Sequence, residues 1–89
     1  MSTVAVFVPS QLTSYTGGAS RLQADGATLD AVLDDLDRRY PGLRFRVIDE
    51  QDRVRRHMRI FLNGEAAKGV DLTVADGDEV LIFGALSGG

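Results

Sequence analysis

The sequence predicts an α+β domain, a mixed sheet of four to five strands with one main helix across one face. Three observations carry that expectation. Apolar β-branched residues alternate near both ends of the chain, one amphipathic stripe with helical spacing occupies residues 28–40, and turn-forming pairs punctuate the segments between.

Residues 3–9 read as a strand, with Val4, Val6 and Val8 on one face, Ala5 and Phe7 on the other, and Pro9 ending the ladder. Ser14-Tyr15-Thr16-Gly17-Gly18 follows as a turn or loop, and residues 20–24, carrying Leu22, form a second strand closed by Asp25-Gly26. The first two strands therefore make a hairpin with a loose tip. The helix over 28–40 has Leu29, Val32, Leu33, Leu36 and Tyr40 on one stripe. Thr28 is its N-cap, worth about 1 kcal/mol. Asp30 near the start and Arg38 and Arg39 near the end complement the helix dipole, and Pro41-Gly42 stops the helix. A single stripe lies on a sheet; it does not belong inside a bundle.

Residues 43–51 read as a short helical turn or a crossing segment. An extended pattern returns over 53–63, with Met58, Ile60 and Leu62 on one face and Phe61 on the other. Asn63-Gly64 signals a hairpin, because both residues tolerate positive φ, and 65–68 is the short return strand. Residues 70–74 lead to the turn Asp76-Gly77-Asp78 and a last strand over 79–85. This final strand and the first are the most apolar, so they should lie side by side in the centre.

Length and composition set bounds on function. The 89 residues make one domain that buries roughly 60 to 70% of its unfolded surface. Hydrophobic content of 44% and charged content of 26% are ordinary for a soluble globular protein. No stretch is long and apolar enough for a membrane span, and Met1-Ser2-Thr3 lacks the basic region of a signal peptide, so a cytoplasmic protein without a membrane partner is expected. The absence of cysteine removes disulfides, thiolate metal sites and a cysteine nucleophile. A net charge of −3 argues against nucleic acid as a partner.

Several residue groups invite a chemical reading. Asp76 and Asp78 around Gly77 lack the further oxygen ligands of a calcium loop and read as a tight turn. His57 has no serine or cysteine partner at triad spacing, and Tyr15-Thr16-Gly17-Gly18 lacks the lysine and helix of a phosphate-binding loop. Arg53, Arg55, Arg56 and Arg59 form a local basic group, with Arg53, Arg55 and Arg59 on one face if the segment is extended. They either bind an anion or acidic partner or form a solvated strand edge. Phe7, Phe61, Leu81 and Phe83 line the sheet face opposite the helix. Either 43–48 or the loops cover that face, or it stays open as a docking patch. No set of residues supplies an acid, a base and a nucleophile. What remains is the end of the chain, Ser87-Gly88-Gly89. A diglycine is either a frayed terminus or a slim handle whose carboxylate enters a channel too narrow for a Cβ.

The chain resembles the ubiquitin-like sulfur carriers of the ThiS/MoaD type. The resemblance rests on the helix Thr28-Leu29-Asp30-Ala31-Val32-Leu33-Asp34-Asp35-Leu36, its exit Tyr40-Pro41-Gly42-Leu43, and Ile60-Phe61-Leu62-Asn63-Gly64-Glu65. It continues through Ala75-Asp76-Gly77-Asp78-Glu79-Val80-Leu81-Ile82 into Ala85-Leu86-Ser87-Gly88-Gly89. It implies a β-grasp, ubiquitin-like domain over 1–84 and a flexible tail over 85–89. It also implies a carrier that is no enzyme itself and binds no cofactor. A ubiquitin-activating-like adenylyltransferase, using ATP and magnesium, would adenylate the Gly89 carboxylate, and a sulfur donor would convert it to a thiocarboxylate. Gly88, Ser87 and Leu86 would be read as the tail, and Phe7, Phe61, Leu81 and Phe83 would dock the partner.

The acceptor in such a family is a biosynthetic enzyme for molybdopterin, the thiamin thiazole, cysteine or a secondary metabolite. Length and the Thr16-Gly17-Gly18 tip look more like the molybdopterin-type and cysteine-forming carriers. Phe83-Gly84 departs from many relatives, in which a proline precedes the last apolar pair. A ubiquitin-like modifier joined to lysine through Gly89 and a non-reactive β-grasp binding module are the alternative readings.

Overall fold

A computed structural model describes residues 2–84, so the expectations for 85–89 lie outside the described residues. Five strands form one sheet in the order β2-β1-β5-β3-β4. They are β1 (Thr3–Phe7), β2 (Arg21–Asp25), β3 (Met58–Leu62), β4 (Glu65–Ala67) and β5 (Glu79–Gly84). First and last strands pair in parallel at the centre, with Val6 opposite Val80, and every other pairing is antiparallel.

One side of the sheet holds the core. Val4, Val6, Ile60, Val80 and Ile82 are buried there against Leu29, Val32, Leu33 and Leu36 of α1 (Leu29–Arg39), as the helical stripe requires. A second helix, α2 (Leu43–Val47), packs beside α1 and buries Leu43 and Val47 in the same layer, followed by Ile48. Residues 43–48 thus close the helix side of the sheet and leave the opposite face alone.

The start of α1 is held by three different acceptors. Leu29 N donates to Leu72 O at 2.9 Å, Asp30 N to Val70 O at 2.8 Å, and Ala31 N to the Thr28 hydroxyl at 3.1 Å. Those first amides have no partner inside a helix, so each requires an outside acceptor. Residues 70–74 supply two of them while burying Val70 and Val74. Gly26 lies against this first turn. A Cβ there would come within 2.7 Å of Val32 N and 2.9 Å of Ala31 Cβ. Arg44 of α2 ties the helices together through Asp30 (2.7 Å) and Asp34 (3.2 Å) of α1, and reaches Asp52 at 3.1 Å.

Two segments depart from the sequence expectation. The hairpin tip is not loose. Ser10–Tyr15 forms a 3-10 helix with Leu12 buried, and the Thr16 hydroxyl, also buried, donates to Ala19 O at 2.6 Å. The extended pattern over 53–63 shrinks to Met58–Leu62. Asp49 Oδ1 accepts Gln51 N at 2.9 Å and Arg53 N at 3.0 Å, which folds the preceding residues into a compact loop. Asp52 takes φ 61° within it. The described β3 ladder begins at Met58, opposite Gly84. The other turns form as expected, Asn63 and Gly64 with φ 51° and 87° and Gly77 with φ 87°.

Two predictions follow from these contacts. Gly26→Ala should lower unfolding free energy by about 1–3 kcal/mol, because the methyl group meets helix backbone and no flexible side chain; a shift of the urea midpoint measures it. The second concerns acid. Asp35 Oδ2 accepts Asp25 N at 3.0 Å, and Arg38 and Arg39 pair with the same carboxylate. The backbone hydrogen bond is the main cause of its lowered pKa, with the two guanidinium groups adding to it against a burial cost. The Asp78 pKa is lowered likewise, by the Ala75 amide and then Asn63. A lowered folded-state pKa means that the unfolded chain binds more protons. The stabilisation is present above the ordinary carboxylate range and is lost as pH falls through the folded-state values. Thermal midpoints should decline on that acid limb, and Asp35→Asn should flatten part of the decline.

Candidate functional site

The alternation of β1, β5 and β3 places four large apolar side chains on the face that α1 does not cover. Cross-strand pairing sets them in a row, with Phe7 opposite Leu81 and Leu81 opposite Phe61. Phe83 lies two residues further along β5. Its ring meets that of Phe61 edge-on, with centroids 5.7 Å apart and planes at 80°. Phe7, Phe61 and Leu81 are half-buried, and Phe83 is 46% exposed. The structure therefore brings together all four residues that the sequence assigns to docking. A depression of about 350 Å³ lined by Phe7, Phe61, Gly64, Glu79 and Leu81 lies on this face. The Arg21 guanidinium sits 5.7 Å from the Phe7 ring, and Arg59 pairs across from Phe83.

The last described residue of β5 is framed from both sides. Met58 faces Gly84 in the ladder, and the Gln11 side-chain amide occupies the space that a Cβ at position 84 would need. A side chain at position 84 would therefore have to displace the exposed Gln11 amide. Nothing in the spacing of Gln11 signals this contact. Leu86, Ser87, Gly88 and Gly89 lie beyond the described residues.

The remaining chemical candidates resolve into structure. Asp78 Oδ2 accepts Ala75 N at 2.7 Å and Asp76 Oδ1 accepts Thr3 N at 2.9 Å, so one carboxylate closes the turn and the other ties it to β1. His57 is exposed in the loop before β3. Among the described residues, no group of three or more His, Cys, Asp or Glu side chains could hold a metal ion. The arginines do not share a strand face as an extended 53–63 would demand, because only Arg59 is in β3. Arg55 turns back, its Nε donating to Phe45 O at 2.5 Å and its Cζ 4.3 Å from the Phe45 ring centroid.

Sheet order, a single long helix and an open aromatic face beside the final strand define a β-grasp, ubiquitin-like protein. The chain belongs to the ThiS family, whose model matches residues 6–89. It is 36% identical over 91 residues to the sulfur carrier protein CysO of Mycobacterium tuberculosis, covering 97% of this chain and 98% of that protein. It is also 39% identical over 70 residues to small archaeal modifier protein 1 of Haloferax volcanii, covering 78% and 79%. Among solved structures, a chain of the Amycolatopsis orientalis BexX/CysO complex superposes with a TM-score of 0.88 at 32% identity, covering 97% of this chain and 99% of that one.

Neighbouring β5 residues should respond differently to truncation. Ile82→Ala, on the buried face, should cost about 2–5 kcal/mol, whereas Phe83→Ser should cost about 1 kcal/mol or less. Equilibrium denaturation of both variants measures the contrast.

Proposed function

We propose that this chain is a sulfur-carrier protein whose reactive group is the Gly89 carboxylate and whose partners perform the catalysis. The observation that carries the reading is the similarity to CysO, which spans nearly the full length of both chains in sequence and in structure. Cysteine biosynthesis is accordingly the favoured destination of the sulfur.

The chemistry suits a carboxylate presented by an inert body. A carboxylate is a poor electrophile. A ubiquitin-activating-like adenylyltransferase, with ATP and magnesium, lets the Gly89 oxygen attack the α-phosphorus and releases pyrophosphate. Sulfide then attacks the acyl carbon of the adenylate, a C–S bond forms, and AMP leaves with the C–O bond broken. The product thiocarboxylate is a strong nucleophile for an accepting biosynthetic enzyme in the cytoplasm. Gly88, Ser87 and Leu86 thread the channel, where side chains larger than glycine near the end would collide. The A. orientalis complex supports a relative of this chain acting while bound to another protein. Docking falls to Phe7, Phe61, Leu81 and Phe83, the open apolar row beside the strand that leads into the tail.

Incubation with the adenylyltransferase, ATP and sulfide should change the intact mass by one oxygen-to-sulfur replacement. A residue added after Gly89 should abolish that change while the domain stays folded. Unaltered mass for the wild-type chain under every sulfur donor would sink the proposal. Phe83→Ser should weaken capture by the adenylyltransferase about tenfold with the fold intact, read by calorimetry.

A second reading is favoured by the similarity to small archaeal modifier protein 1. In it, the activated Gly89 forms an isopeptide bond with a lysine of another protein. Conjugates of higher mass that survive reducing agent in host extracts would establish it.

A further inference from the structure

The loop before β3 and the end of β4 border an open cavity of about 310 Å³ at the β4 edge of the sheet. Its apolar lining includes Met58 and Ala67, both buried, while Arg55, Arg56, Arg59 and Lys68 supply four cations. Among the described residues, no carboxylate lines it. The ion pairs among the described residues engage Arg38, Arg39 and Arg44 and leave these four without a partner carboxylate. In a chain of net charge −3, that is a marked local concentration of positive charge.

Two further observations give the cavity a direction. Among the described residues, Arg55 Nη2 is buried without a hydrogen-bond acceptor, although Nε of the same side chain bonds Phe45 O. A guanidinium held by one edge and unsatisfied at another keeps hydrogen-bonding capacity that the described residues do not fill. Met58, part of the lining, also stands opposite Gly84 in the ladder. The cations therefore flank the point from which the chain continues towards Gly89. Five residues threaded in extended form carry the reactive carboxylate about 17 Å further, so this cluster stands outside the reaction centre, where an enzyme's channel would open.

We propose that this cavity docks a carboxylate-rich segment of the adenylyltransferase, beside the mouth through which the tail enters. The inference rests on the carrier reading. Glu or Asp side chains fit both parts of the site, their methylenes over Met58 and Ala67 and their carboxylates on the guanidinium groups. The contact adjoins the Phe7, Phe61, Leu81 and Phe83 row at Arg59, and it sets approach and orientation through charge.

The test uses the full chain with its tail and the recombinant adenylyltransferase of the host, read by ATP–pyrophosphate exchange against carrier concentration. Arg56→Glu with Lys68→Glu, both at exposed positions, should raise KM for the carrier about tenfold with kcat little changed. The wild-type KM should climb with salt and that of the variant should not. Arg56→Lys with Lys68→Arg should behave as wild type. Arg38→Glu with Arg46→Glu makes the same change in net charge away from the cavity and should leave KM unchanged. An unaltered KM in the first variant, or an equal rise in the control, would overturn the docking proposal while exchange itself continues. No exchange with the wild-type chain would instead remove the carrier reading and this proposal with it.

Discussion

Placing the first and last strands side by side in parallel forces most of the chain to cross from one end of the sheet back to the other. The crossing carries α1, which covers one face, and it leaves β5 flanked by β1 and β3 at the sheet centre. Register then fixes everything else. Val6 meets Val80 and Ile60 meets Ile82 on the helix side, while Phe7, Leu81 and Phe61 meet on the other. A slip of one residue would exchange the two sets and expose the core. The same pairing makes the open aromatic row and sets Gly84, the last described residue, opposite Met58 and under the Gln11 side chain.

The connections are short of regular structure yet well bonded. Residues 70–74 contribute a single isolated bridge, Thr28 to Thr73, but they hold the first amides of α1. Arg44, with its side chain only 19% exposed, gathers Asp30, Asp34 and Asp52 around α2. Burial opposes the charge on Arg44, and the Asp30 hydrogen bond with the neighbouring carboxylates more than offsets it, so its pKa is raised. A body braced in this way suits the carrier role proposed for this chain.

Most of the fold was legible because its signals are local. Thr28 as cap, the stripe from Leu29 to Leu36, Asn63-Gly64 and Asp76-Gly77-Asp78 each follow from backbone preferences that neighbours do not alter. The 3-10 helix at Ser10–Tyr15 was not legible. It has no long period, and it is pinned by the burial of Leu12 in the core shared with distant residues. The loop before β3 looked extended because alternating residues suit a strand, but Asp49 captures two backbone amides there and draws the chain into a turn. For the candidate site, alternation identified the aromatic set. It could not show that the set remains open, which depends on α2 settling beside α1.

The sequence by itself determined the order of the strands, the capped helix, the two-faced pattern of the sheet and the family resemblance, because each is written in residue type and spacing. It also supplied Gly89 as the candidate reactive end by leaving no catalytic set elsewhere. The tertiary structure alone decided that the aromatic face is uncovered, that Gln11 occupies the space over Gly84, and that Arg55, Arg56, Arg59 and Lys68 meet beside the end of β5. Those features join residues far apart in the chain. No local preference encodes them, since they exist only once the strands have taken their register.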